Sequence, residues 1–242
     1  MKLALKRPRW YDRVAVVLAL AIVAVVTIGT ARGREVDVQL VLAVDVSASM
    51  SQEALALQRE AYMSAFSDPE VLDAIRSGPA GAIAVTIFEW SAPGQQEVLV
   101  PWTLVDGPET ARQWADALRP AAIRPLSSTA LGEALTFATG LLQASPFQGG
   151  RRVIDISGDG PTNAGEPAGP ARDRANALGI VVNGLLLRNP NEPGAEEHYT
   201  SEVIGGPGSF LVVAEGAIDF SRALRRKLIL EIAGLTRVVV SR

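Results

Sequence analysis

No cysteine occurs in the 242 residues, which excludes disulfides, thiolate metal sites and cysteine nucleophiles together. Such a chain tolerates an oxidising compartment without exploiting it. Histidine is nearly absent as well: His198 stands alone, so a two-histidine metal site cannot form and acid–base chemistry has few carriers. No Gly-x-Ser-x-Gly elbow is present for a serine hydrolase. Gly205, Gly206 and Gly208 lack the strand, helix and downstream acid of a dinucleotide loop. Internal repeats and low-complexity tracts are missing too. So is an excess of positive charge. The formal net charge is −3 although Lys2, Lys6, Arg7, Arg9 and Arg13 crowd the amino terminus against Asp12 alone. The remainder is therefore more acidic still, a poor balance for a nucleic-acid partner.

What is present begins with that basic start. It precedes an uncharged run of small and branched apolar residues over 14–28, and Gly29-Thr30-Ala31 follows as a small-residue cleavage site. The pattern predicts an export segment over residues 1–31, either a cleaved signal peptide or a retained membrane anchor. In both versions the basic flank stays in the cytoplasm. The rest of the chain is then extracytoplasmic: periplasmic, secreted or anchored outside the inner membrane. Membrane contact is expected only through that segment. A linker over 32–35 leads to one domain over 36–233, and a tail covers 234–242.

Within the domain, strand and helix patterns alternate. Strands are predicted over 38–45, 82–89, 97–102, 152–156, 180–187 and 210–214. Helical patterns fall over 52–66, 70–75, 109–118, 130–143, 169–178, 196–203 and 218–232. Helix-length connections imply crossover units and a mostly parallel sheet with helices on both faces, a doubly wound α/β fold. Only residues 91–96, with Pro93 and Gly94, separate the second and third strands. That spacing predicts a hairpin and one antiparallel edge strand.

The chemistry lies at strand ends. The run Val38-Gln39-Leu40-Val41-Leu42-Ala43-Val44 reads as a strand buried on both faces, and Asp45-x-Ser47-x-Ser49 leaves its end. A carboxylate and two hydroxyls at i, i+2 and i+4 can converge on one small, hard cation where the chain turns into a helix. Thr129 stands at a loop-to-helix junction, with Gly132 one turn into that helix. A glycine there weakens the helix, so a close backbone approach is expected. Asp159, between Gly158 and Gly160, follows the fourth strand. Two carboxylates and three hydroxyls suit a divalent cation of the magnesium type, with manganese or calcium as substitutes.

These residues carry a family resemblance. Asp45-x-Ser47-x-Ser49, Thr129 in Ser127-x-Thr129-x-x-Gly132-x-Ala134-Leu135, and Asp159 in Gly158-Asp159-Gly160 resemble the metal-ion-dependent adhesion site of the von Willebrand factor type A domain. The resemblance spans about 36–233 and implies a six-stranded sheet ordered 3-2-1-4-5-6 with the ion between the first and fourth strands. With Asp155-Ile156-Ser157-Gly158-Asp159-Gly160-Pro161-Thr162-Asn163 and the export segment, it is similar to an uncharacterised family of exported bacterial type A proteins. Most type A domains read Thr-Asp-Gly in the third motif. The glycine inserted here leaves Asp159 reaching the ion either directly or through water.

Blander readings compete residue by residue. Ser49 and Gln52 fit a capping box. Asp155 either supports the site or pairs with Arg151 or Arg152, and the pairing is favoured. Ser157, Ser128 and Glu89 are rim or supporting candidates. His198 is expected to be solvated, and Arg222, Arg225, Arg226 and Lys227 are expected to line the outer face of the last helix. The resemblance implies a non-enzymatic binding module whose ion bridges to an Asp or Glu carboxylate of a partner protein. Two alternatives stand beside it: a metal-assisted hydrolase or phosphatase at the same sheet edge, and a constitutive structural subunit of an envelope complex. The hydrolase lacks a good general base, and position 47 is serine where Asp-x-Asp phosphatases have their second acid.

Overall fold

Every residue of Val38–Asp45 (β1) is buried, as its unbroken apolar run demands, and the strand lies between two parallel neighbours. A computed structural model describes residues 33–119 and 128–234. The predicted export segment, Ser127 and most of the tail lie outside the described residues. The compact unit begins at Arg34. Arg34 pairs with Asp106 at 2.9 Å, and Glu35 bridges to Gln148.

After β1 come helices Gln52–Phe66 (α1) and Pro69–Arg76 (α2), then strands Ile83–Trp90 (β2) and Gln96–Val105 (β3). Helices Pro108–Leu118 (α3) and Leu131–Gln143 (α4) precede strand Arg151–Gly158 (β4). The remainder runs Ala168–Ala177 (α5), Ile180–Leu187 (β5), Ala195–His198 (α6), Leu211–Ala214 (β6) and Ala217–Ala233 (α7). A π-helical turn, Tyr199–Val203, extends α6. The sheet order is β3-β2-β1-β4-β5-β6, with β2–β3 the one antiparallel strand pair among the described residues. This is the predicted doubly wound sheet. Its edge strand β3 runs three residues past the expected end at 102 and carries Pro101, which an edge tolerates.

The two faces of the sheet hold separate cores. Leu40, Leu42 and Val153 pack with Phe66 of α1, Ile75 of α2, Trp114 of α3 and Leu228 of α7. Phe66 and Trp114 stack with ring centroids 4.1 Å apart. On the other face Val41, Ala43, Ile154 and Ile156 meet Leu135 of α4, Ala171 of α5 and Tyr199. The chain leaves β1 toward the first face and β4 toward the second. A crevice therefore opens beyond the carboxyl ends of these adjacent strands, where ligands of open α/β sheets bind.

Gly132 shows the close approach expected of it: a Cβ there would lie 2.2 Å from the Glu166 carbonyl oxygen. Because that neighbour is backbone, Gly132→Ala is expected to cost about 1–3 kcal/mol through overpacking, read from urea unfolding.

One polar stripe crosses the first core, and here two expectations are corrected. Asp155 pairs with neither Arg151 nor Arg152; its carboxylate lies 2.6 Å from the Lys227 ammonium, and both residues are 0% exposed. Arg151 instead donates to the carbonyls of Glu231 and Ile232, and Arg152 to that of Leu178. Lys227, far from lining an outer face, points inward beside Glu231, which also accepts from Asn183 at 2.9 Å. The reason is helical period. Leu224, Lys227, Leu228 and Glu231 share one stripe of α7, and that stripe faces the sheet. Arg222 and Arg225 do lie on the exposed side, paired with Asp219 and Asp68. Among the described residues no helix is long and apolar enough to cross a membrane.

Candidate metal centre

Asp45 closes β1, and its Oδ1 accepts from the Ser47 backbone N–H at 2.7 Å, which folds the turn back over the strand end. Ser47 and Ser49 then approach at 3.1 Å between hydroxyl oxygens, and Ser49 donates to Asp159 Oδ1 at 2.6 Å. Ser49 gives its single proton to the carboxylate, which leaves Ser47 as the donor to Ser49. The capping reading of Ser49 is corrected: Ser51 caps α1 by accepting from Ala54 N–H at 3.1 Å. Four residues from two separated stretches thus form one connected cluster.

Thr129 joins by another route. Its N–H donates to Asn163 Oδ1 at 2.8 Å, while its carbonyl accepts from Asn163 and Ala164. Both partners lie in the loop after Asp159, so the threonine is fastened to the same loop and is itself buried. Ala130 anchors the junction from the other side by donating to the Ser91 carbonyl at 2.7 Å. Thr129 is tied to that loop through its backbone, whereas Ser47, Ser49 and Asp159 meet through side chains and Asp45 joins them through the Ser47 N–H. Ser128 beside it is half-buried.

The supporting candidates separate. Asp155 and Ser157 face the first core. Ser157 receives a hydrogen bond from Tyr62 at 3.3 Å, and Asp155 belongs to the Lys227 stripe. Glu89, buried to a large extent, is taken up by the Arg59 guanidinium. His198 is half-buried rather than solvated: its Nε2 lies 3.3 Å from both the backbone N and the hydroxyl of Thr162, and burial holds its pKa below the usual value.

Two residues that sequence reasoning passed over stand beside the cluster. Asn189, two residues past the end of β5, donates to Asp159 Oδ2 at 3.1 Å. Tyr199 brings a buried phenol toward Asp45 and Asp159, whose charges, after burial, help push its pKa well above the ordinary value. Asn189 had a usable signal, since it follows a strand at the same sheet edge. Tyr199 had none, because an aromatic on a helical stripe reads as core.

Electrostatically the centre is under-compensated. Asp45 is 0% exposed, and among the described residues its Oδ2 has no hydrogen-bond partner. Burial, opposed by the Ser47 hydrogen bonds and reinforced by the Asp159 charge, pushes its carboxyl up to about 7. A buried carboxylate oxygen without a partner is costly unless something cationic meets it. Among the described residues no cluster of three acidic or histidine side chains could hold an ion by charge alone. The donors are instead two carboxylates and hydroxyls, all hard oxygens, a set that fits a divalent cation.

The sequence profile of a family described as a protein of unknown function, DUF1194, matches residues 35–236. The chain belongs to this family. A search of curated proteins finds no significant match. Among solved structures, this DUF1194 domain is similar to proximal thread matrix protein 1 of the mussel byssus, with TM-score 0.62 and 15% identity over 83% of the chain and 48% of the mussel protein. A second form of that protein, described with a zinc-occupied MIDAS motif, aligns with TM-score 0.58 and 15% identity over 84% of the chain and 49% of its own. The vWF domain of the type V pili tip protein Mfa5 from Porphyromonas gingivalis aligns with TM-score 0.61 and 10% identity over 86% of the chain and 99% of its own. The DUF1194 chain thus spans about half the length of the mussel protein. At these identities the likeness establishes the fold, which is that of the von Willebrand factor type A domain.

Proposed function

We propose that this protein is an exported, divalent-cation-dependent protein-binding module of the adhesion type. The observation that carries the reading is the cluster at the ends of β1 and β4. There Asp45, Ser47, Ser49 and Asp159 meet in one hydrogen-bonded group, and one buried carboxylate oxygen of Asp45 lacks a partner among the described residues. Asp45, Ser47, Ser49, Thr129 and Asp159 would hold the ion, most simply magnesium, with Asp159 in direct contact or through water. When bound, the ion supplies a Lewis-acidic position at which an incoming carboxylate replaces a water.

The chain's own residues do the rest. Ser47 N–H fixes the Asp45 carboxylate, Asn189 and Ser49 hold Asp159 from two sides, and Asn163 ties the Thr129 junction to the Asp159 loop. An Asp or Glu of a partner protein is the expected bridging group. The pilus tip protein and the byssus matrix protein, which share this fold, support an extracellular binding role. They also favour a location outside the cytoplasm, in keeping with the export segment predicted over 1–31.

A magnesium-dependent crosslinking pull-down from the native envelope tests the proposal. Partner capture should disappear in chelator and in Asp45→Ala or Thr129→Ala, while both variants keep the unfolding cooperativity of the wild type. Capture that persists in chelator would identify a constitutive structural subunit instead. Turnover of generic phosphate or ester substrates that depends on Asp45 would identify a hydrolase.

A further inference from the structure

Tyr199 is fully buried, and its hydroxyl has no hydrogen-bond partner among the described residues. Two glycines make its place. A Cβ on Gly184 of β5 would lie 3.1 Å from the Tyr199 ring carbon Cδ1, and a Cβ on Gly158 of β4 would lie 2.5 Å from the Tyr199 hydroxyl oxygen. Ile156 of β4 pairs with Gly184 and Gly158 with Leu186, so both glycines fall on the face of the sheet that Tyr199 covers. The ring therefore crosses β5 and β4 where each omits a side chain, and its polar end stops at the metal centre.

That polar end has a counterpart. The same Cβ on Gly158 would lie 2.9 Å from Asp45 Oδ2, the carboxylate oxygen that likewise has no partner among the described residues. A hydroxyl that can donate and a carboxylate oxygen that can accept thus flank one point above Gly158 without bonding each other. Two buried polar atoms left without partners are unfavourable on their own. Together they bracket room for one shared oxygen, such as a water of a cation's hydration shell.

We propose that Tyr199 is a positioning residue of this metal centre: its phenol occupies the space that Gly158 leaves open, holds the Asp45 carboxylate through a shared oxygen, and so sets the affinity for the divalent ion. The inference rests on the metal-binding reading above and adds to it a group from outside the five oxygen ligands. Outer partners of metal ligands act in this way, by fixing the orientation and basicity of the ligand they touch.

Calorimetric titration of the purified full-length protein with Mn2+, combined with thermal unfolding in chelator, tests it. Tyr199→Phe should weaken Mn2+ binding about tenfold, while the melting temperature in chelator stays the same or rises, because a buried hydroxyl without a partner has been removed. Gly158→Ala should weaken binding as well, since its methyl meets both the phenol and the carboxylate. In the Tyr199→Phe background the further loss caused by Gly158→Ala should shrink, because the nearest atom in its way is gone. Unchanged Mn2+ affinity in Tyr199→Phe, with a lower melting temperature in chelator, would make the phenol a packing group and overturn the proposal. A wild type that binds no Mn2+ would overturn the metal reading itself, an outcome separate from any effect of the variants.

Discussion

Lys227→Met is expected to destabilise the domain by about 3–5 kcal/mol, the usual cost of removing one partner from a buried ion pair. Urea unfolding followed by tryptophan fluorescence measures it. Lys227 and Asp155 are both 0% exposed and 2.6 Å apart, so neither charge can turn to solvent when the other is lost. Methionine fills the lysine's volume, which keeps the effect electrostatic. Adding Asp155→Asn to the lysine variant should recover part of the loss, because the stranded charge then disappears.

Glu231 gives the same stripe a pH dependence. Burial, with the nearby Asp155 charge, pushes its carboxyl up to about 8 from an ordinary 4.5. The folded form therefore holds a proton that the unfolded chain releases across that window. Stability from this group is present at the acidic end and is lost as pH rises toward and through the folded value. Both Lys227 and Asn183 engage Oε1, and Oε2 has no partner among the described residues, so Oε2 is the natural seat of the proton. Glu231→Gln should flatten the fall in melting temperature between about pH 5 and pH 8, the span between the unfolded and folded values. An equal slope in the variant would sink this assignment.

Asp45→Asn is expected to abolish divalent-ion binding and, unusually for a buried substitution, to stabilise the ion-free protein at pH ~8. A shift of the Asp45 carboxyl to about 7 from 3.8 corresponds to an unfavourable contribution of about 4 kcal/mol once the group is ionised. Asparagine keeps an acceptor for the Ser47 N–H but introduces an amide with no evident partner. The net gain is therefore set at about 1–3 kcal/mol. Thermal unfolding with chelator and with magnesium separates the effects. The wild type should gain stability on adding magnesium and the variant should not. A variant that loses stability in chelator, or still responds to magnesium, would contradict this account of the centre.

The fold was legible because period and punctuation agree. The apolar run of β1 specifies a strand covered on both faces, and the short Pro-Gly connection specifies the hairpin to β3. Asp45, Ser47, Ser49 and Asp159 were legible as a group because they leave two adjacent strands at the same edge. Lys227 was misread: a run of basic residues looks like a solvated face until each is assigned to its stripe, and the stripe through Leu224 and Leu228 contains it. Tyr199 could not be read at all. Its place depends on the side chains that Gly158 and Gly184 omit, and these two positions come together only when separate strands are brought side by side.

The inward-facing lysine also bears on the order in which the domain can assemble. Asp155 belongs to a central strand, while the cation that neutralises it arrives with the final helix. A nascent chain that has delivered only its first five strands carries an uncompensated negative charge where the sheet must be dry. Closure is disfavoured until the carboxyl-terminal segment docks, so the sheet and its last helix are expected to consolidate in a single cooperative step.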